Sequence, residues 1–296
     1  MPPDSLRILV SRHSAFYTPL IGTVAGGFLA EEGLEASYGV LPKGRSARDL
    51  IRAGEVDIVQ AAVSSNWGPM EKGESDLPLH FAQINARDGF FLAGRLPEAS
   101  FEWKNLEGKT LLADHGGQPL VMLRYAVAAQ GADWGRIGVV DTGDSAEIDA
   151  AFRAGLGDYV HQQGPAAQVL QAEGIAHVVA AVGDAMPPVA FSSLMASREF
   201  LRSEPARAFM RAYRKARAWA AAAPAEEIAS REAASFPGIA PEALAAAVAR
   251  YQQLGTWAGE AEIPCDLYEQ ALEVFLQGGA ITRRHPYEEV VVEPPQ

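Results

Sequence analysis

Four short polar segments carry the residue types that could do chemistry in this chain, and each follows a strand-like run. They are Ser11-Arg12-His13-Ser14-Ala15-Phe16-Tyr17, Val63-Ser64-Ser65-Asn66-Trp67, Asp114-His115-Gly116-Gly117-Gln118 and His161-Gln162-Gln163-Gly164. In open α/β sheets a ligand settles beyond the carboxyl ends of the strands, where helix N-termini leave N–H donors unpaired. The four segments are therefore expected to face one cleft. Polar heads beside aromatic walls suit a small planar or polar ligand. The candidate contacts are Arg12, His13, Phe16, Tyr17, Ser64, Ser65, Asn66, Trp67, His115, Gly116, Gly117, Gln118, His161, Gln162 and Gln163.

Each candidate has a structural alternative. Ser64, Ser65 and Asn66 can cap a helix instead of meeting a ligand, and Phe16 and Trp67 can be ordinary core. Gly116-Gly117 can be a tight turn or a place where backbone approaches a ligand closely. It is not a phosphate loop, because no Lys-Ser or Lys-Thr pair follows. Gln162 and Gln163 can bond a ligand or sit in a solvated loop. His13, His115 and His161 together would make an adequate zinc or iron set, or an acid–base pair. Their spacing is no local metal motif, so neither metal nor cofactor is expected, and His80, His177 and His285 read as structural. Cys265, the single cysteine, excludes an internal disulfide and a cysteine-based cluster. Its apolar helical setting predicts a buried structural thiol.

The positioning elements follow from composition and pattern. At 296 residues, 48% hydrophobic and 21% charged, the chain can build two globular domains. No apolar run reaches the ~18 residues of a membrane span. A net charge of −12 argues against nucleic acid and anionic membrane as partners. Residues 1–5 lead straight into a strand with no basic, apolar or cleavage region of a leader. That predicts a cytoplasmic protein as the chain stands, and a periplasmic one if a leader has been removed.

Strand-like runs at Leu6–Val10, Leu34–Val40, Val56–Ala62 and Leu79–Ile84 alternate with helical patterns at Pro19–Glu31, Ser46–Arg52 and Ser65–Lys72. This is βαβ grammar, and fully apolar strands suit a sheet covered on both faces. The grammar restarts at Leu106, with strands near Lys109–Ala113, Arg136–Val140, Tyr159–His161 and His177–Val182. After Pro187-Pro188 only helical spacing remains, as in Ala206, Phe209, Met210, Tyr213 and Ala216. The basic run Arg207, Arg211, Arg214, Lys215 and Arg217 reads as a solvated face. The predicted class is α/β, two lobes with central mixed sheets and a C-terminal helical extension.

Several phrases resemble a known family. Phe16-Tyr17-Thr18-Pro19-Leu20, Gly27-Phe28-Leu29-Ala30-Glu31-Glu32-Gly33-Leu34-Glu35 and Asp49-Leu50-Ile51-Arg52-Ala53-Gly54-Glu55-Val56-Asp57-Ile58 are similar to the first lobe of ABC-transporter substrate-binding proteins. Leu106-Glu107-Gly108-Lys109-Thr110 resembles the opening of the second lobe, and Ser197-Arg198-Glu199-Phe200-Leu201 the return to the first. The branch is the one holding pyrimidine-precursor, sulfonate and nitrate binders. The resemblance implies a type 2 periplasmic-binding-protein fold, with residues 1–88 plus 190–296 as one lobe and 89–189 as the other. Crossings would lie near Asp88–Leu92 and Pro188–Ser192. It further implies a monomer that closes on a small organic ligand, planar heterocyclic or aromatic in this branch, and docks to an ABC permease. The rival reading is an enzyme on the same fold, like the pyrimidine synthase or the aromatic desulfinase, working through cleft histidines. The synthase's cysteine-rich segment is absent, and Cys265 stands far from the desulfinase's early nucleophile. A DNA-bound regulator's effector domain lacks support for want of a helix-turn-helix segment.

Overall fold

In the first strand, Leu6, Ile8 and Val10 are buried while the residues between them reach the surface. That alternation is the two-residue period of a strand. The computed structural model describes residues 5–113 and 117–296. The first part of the chain runs β1 (Ser5–Val10), α1 (Thr18–Ala25), α2 (Phe28–Glu31), β2 (Glu35–Val40), α3 (Ala47–Arg52), β3 (Ile58–Ala61), α4 (Ser64–Glu71) and β4 (Leu79–Asn85). Next come β5 (Phe90–Gly94), β6 (Thr110–Ala113), α5 (Gly117–Ala129), β7 (Gly138–Asp141), α6 (Ser145–Arg153), β8 (Tyr159–Gln163), α7 (Ala166–Ala172) and β9 (His177–Ala181). The chain ends with β10 (Ser192–Ala196), α8 (Glu204–Ala222), α9 (Ala225–Glu232), α10 (Pro241–Gln253), α11 (Cys265–Gln277) and α12 (Tyr287–Val290).

The strands form two five-stranded mixed sheets, in the orders β2-β1-β3-β10-β4 and β7-β6-β8-β5-β9. In the first, β1 pairs parallel with β2 and β3, and β10 runs antiparallel between β3 and β4. In the second, β6 is parallel to β7 and β8, while β5 lies antiparallel to β8 and β9. Two crossings join the sheets. Residues 86–89 lead out and 182–191 lead back, tied together where Val189 N donates to Ala86 O and Phe191 N to Asn85 O, both at 3.0 Å. One apolar cluster runs from Ile8 and Phe81 of the first sheet through Phe16 and Phe191 to Leu111 of the second.

The C-terminal helices touch both halves. α8 and α9 pack on α1, whereas α10 rests on α7 and α11 on α5. α8 is fixed to α2 by Arg211–Glu32 at 2.7 Å and Lys215 to Glu31 and Glu32 at 3.1 Å. Water screens exposed pairs of this kind, so they position the helix more than they stabilise it. Among the described residues no helix is long and apolar enough to cross a membrane.

Five readings are corrected, the first being that only helical spacing follows Pro187-Pro188: β10 (Ser192–Ala196) is a buried strand of the first sheet. The expected helix over Pro19–Glu31 is two helices, broken where Gly27 takes φ +85°; that conformation suits glycine and ends a helix. Phe90 to Leu92, expected as part of a crossing at Asp88–Leu92, instead open the inner strand β5 (Phe90–Gly94), buried at all five positions. Arg217 is not on a solvated face: it is buried, and its guanidinium donates to the carbonyls of Gln83, Ile84, Ala258 and Gly259. Cys265 is exposed, because it starts α11 just after Pro264.

Candidate functional site

The strand-end loops of both sheets meet across a cleft. Its inner part is a cavity of about 400 Å³ lined by Ser11, Arg12 and Tyr17 after β1, Gln60 to Ala62 at the end of β3, Ser64 and Ser65 opening α4, Gly117 to Pro119 opening α5, and Gln163 ending β8. Phe191, Ser192 and Phe275, with Leu41 and Ala47, complete the described wall. The space continues outward into a larger cavity of about 840 Å³, sharing Ser11, Arg12, Gly117 and Pro119 and reaching Lys43, Asp141, Asp144 and Glu147. At the mouth Lys43 of one sheet approaches Asp144 of the other at 3.9 Å.

Three buried glutamines set the chemistry of the inner cavity. Gln60 Oε1 accepts from the Ser11 amide at 3.0 Å and its hydroxyl at 2.7 Å, so the loop after β1 is anchored to β3. Gln118 spans the cleft: its Oε1 accepts from Ser64 Oγ at 2.8 Å and its Nε2 donates to Phe191 O at 2.6 Å. Gln163 Oε1 is buried with no partner among the described residues. Arg12 is the one charged side chain on the described inner wall, and no carboxylate lines it. Amides that donate and accept, one guanidinium and apolar rings can hold a compact polar or anionic organic molecule.

His161 lies one layer behind. Its ring stacks on Phe90 at 4.3 Å and 17°, and Arg12 sits over the same phenyl ring at 5.4 Å. Burial, and then the nearby Arg12 charge, pull His161 down to about 3, so the imidazole is neutral. Both ring nitrogens lack a partner among the described residues, as do both amide atoms of Gln162, on the opposite face of β8. His13 is at the rim, with Nδ1 3.2 Å from Tyr38 Oη and Nε2 2.6 Å from Ser235 O. Desolvation lowers its pKa, partly offset by the Ser235 carbonyl.

The structure thus brings Arg12, Tyr17, Ser64, Ser65, Gly117, Gln118 and Gln163 onto the inner wall, with His13 on the outer one. It withdraws five others. Phe16 is fully buried among Tyr17, Phe191 and Tyr251. Trp67 is fully buried against Tyr268 and Phe275, its Nε1 donating to Tyr268 Oη at 3.0 Å. Asn66 points away from the cleft and donates to Pro78 O at 2.9 Å. α4 begins at Ser64, so Asn66 and Trp67 fall on its core-facing side. His115 and Gly116 lie outside the described residues, and His161 and Gln162 are buried off the cavity wall. Among the described residues no group of three or more His, Cys, Asp or Glu is placed to hold a metal ion.

Sequence reasoning missed Gln60, Phe191, Ser192 and Phe275. Gln60 left a signal, as a polar residue inside the otherwise apolar end of Val56–Val63. Phe191 and Phe275 left none, because their positions depend on the return crossing and a distant helix. Asn66→Ala should cost about 1–2 kcal/mol in urea denaturation, the usual price of a buried hydrogen bond, and should leave the cleft wall unchanged.

Residues 15–227 match the family described as NMT1/THI5 like. The chain belongs to the NMT1/THI5-like family. A Bacillus subtilis (strain 168) relative described as "Putative binding protein YtlA" is 27% identical over 283 residues, covering 94% of this chain and 85% of that protein. The NMT1/THI5-like chain also superposes on solved structures. The ligand-binding component of an ABC-type import system from Staphylococcus aureus, with zinc bound, gives a TM-score of 0.76 at 13% identity, covering 98% and 97% of the two chains. The alkanesulfonate-binding protein SsuA from Xanthomonas axonopodis pv. citri, bound to MOPS, gives 0.73 at 15%, covering 99% of each. At these identities the superpositions establish the two-lobed fold.

Proposed function

We propose that this NMT1/THI5-like chain is the solute-binding component of an ABC-type uptake system, a monomer that closes two lobes on one small organic ligand and presents it to a membrane permease. The lobes are residues 5–88 with 190–296, and 89–189. The observation that carries the reading is the inner cavity of about 400 Å³ between the sheets, with Gln118 spanning it and Gln163 holding at its wall an oxygen that has no partner among the described residues. A planar heterocyclic or aromatic ligand fits between Tyr17, Phe191 and Phe275, with its polar edge toward the glutamines and Arg12. The binding proteins named above support the transport assignment. The enzyme reading finds little help in the described histidines, since His13 is tied to a backbone carbonyl and His161 is stacked and neutral.

The test is a thermal-shift screen of pyrimidines, sulfonates and small aromatic acids. A true ligand at a hundred times its dissociation constant stabilises by about 2.7 kcal/mol. Gln163→Ala should weaken that ligand by roughly tenfold or more, the cost of one lost hydrogen bond to a buried group, while the unliganded melting temperature holds. A screen without stabilising compounds, or a hit that Gln163→Ala and Arg12→Ala bind as well as wild type, would sink the reading.

A further inference from the structure

The crossings carry a buried acid that ligand binding does not use. Asp88 stands between β4 and β5 and is fully buried. Its Oδ1 accepts from Phe90 N at 2.7 Å, and its Oδ2 has no partner among the described residues. Beside it four parts of the molecule are clasped by one chain of hydrogen bonds. Tyr251 Oη of α10 donates to Gly89 O at 3.0 Å and accepts from Gly164 N at 2.7 Å. Gly164 O in turn accepts from Ser14 Oγ at 2.6 Å and Ala15 N at 3.2 Å. The loop after β1, the outgoing crossing, the end of β8 and α10 therefore meet at one point. Any rotation of one sheet against the other works on this clasp.

The titratable and charged groups on the surrounding elements are few. Arg87 donates to Gly183 O at 3.0 Å, Asp184 is paired with Arg250, Tyr251 and Tyr17 contribute phenols, and His161 with Arg12 lies beyond Phe90. None of these cations bonds the Asp88 carboxyl. Ionised there, Asp88 would be a desolvated charge without a counter-ion among the described residues, which costs several kcal/mol. Bending the crossings open admits water to Oδ2 and removes that cost.

We infer that Asp88 is a proton-operated lock on the hinge: protonated, it holds the clasp between the lobes shut, and ionised, it favours the open form. Burial pushes its carboxyl up to about 8, partly opposed by the Phe90 amide, so the lock works in mildly alkaline solution. The experiment is small-angle scattering of the unliganded protein between about pH 6 and 9.5. The wild type should grow by about a twentieth from the ~19 Å radius of gyration of a compact chain of this size. Asp88→Asn, which keeps an acceptor for Phe90 N–H, should stay compact throughout. Glu232→Gln, at a second buried acid that stands at the end of α9 and not on a crossing, should follow the wild type. A flat wild-type profile, or three parallel profiles, overturns the inference. Hydrogen exchange at the Phe90 and Gly164 amides of the wild type needs no variant. Protection there should fall with the same pH midpoint relative to amides of β1, and unchanged protection overturns the inference as well.

Discussion

Gly89→Ala should destabilise the protein by about 3 kcal/mol or more, at the upper end of what overpacking costs. A Cβ at Gly89 would lie 2.1 Å from Phe16 Cε2 and 2.2 Å from Cδ2. The Phe16 ring has nowhere to go, since Phe191 and Tyr251 each sit 5.3 Å from its centre and none of it is exposed. The backbone cannot retreat easily either, because Gly89 O accepts from Tyr251 Oη. Urea denaturation gives the cost. Gly68→Ala is the matched control: it lies within α4, a Cβ there meets nothing within 4 Å, and it should be neutral or stabilising by up to about 1 kcal/mol. Equal stability of Gly89→Ala and wild type would mean that Phe16 and the outgoing crossing are not packed as described.

Stability should fall as the solution is made alkaline from about pH 6.5 to 8. Burial raises Glu232 from 4.5 to about 8, opposed by its bond from Thr18, and raises Asp88 from 3.8 to about 8. Between those values the folded form binds protons that the unfolded form has released. The stabilisation is complete below the unfolded pKa values and is lost as pH climbs toward 8, by up to about 1.4 kcal/mol per pH unit for each acid. The buried His80 and His161, lowered to about 3, act in the opposite sense between 3 and 6.5. The two trends offset each other up to about pH 6.5, and the acids prevail above it. Glu232→Gln copies the protonated acid, so it should gain about 3 kcal/mol at pH 7 and flatten the alkaline slope. The measurement is a series of denaturant midpoints against pH. Parallel curves for the variant and wild type would show that Glu232 is ionised in the fold.

Most strands were legible because burial on both faces demands long apolar runs: Val56–Ala62 announced β3, and Leu79–Ile84 announced β4. β5 and β10 were hidden for a topological reason. Each follows directly on a crossing and pairs with partners far along the chain, as Phe90 does with Gln163 and Met195 with Val59 and His80. Local pattern carries no trace of such register. The same division holds at the site. Arg12, Ser64, Gly117 and Gln163 could be found because they end strands or begin helices. Asn66 and Trp67 could not be rejected, because two residues of helical rotation separate the cleft wall from the core side of α4. Arg217 was misread for a related reason. It belongs to a run of basic residues, and only its approach to the carbonyls of Gln83 and Ile84 distinguishes it from its paired neighbours.

The place of β10 in the first sheet bears on how the chain is made. That strand fills the gap between β3 and β4, yet every strand of the second sheet is synthesised before it. As the polypeptide leaves the ribosome, β1 to β4 emerge with an open slot between β3 and β4. β5 to β9 already contain all the partners their own sheet requires. The second sheet can therefore mature first, while the earlier-made half waits, its inner edges exposed, for a segment delivered about a hundred residues later. Unpaired inner edges are what folding chaperones shield. Ribosome-stalled chains ending before Ser192 should present that vulnerability, and chains extended past Ala196 should lose it.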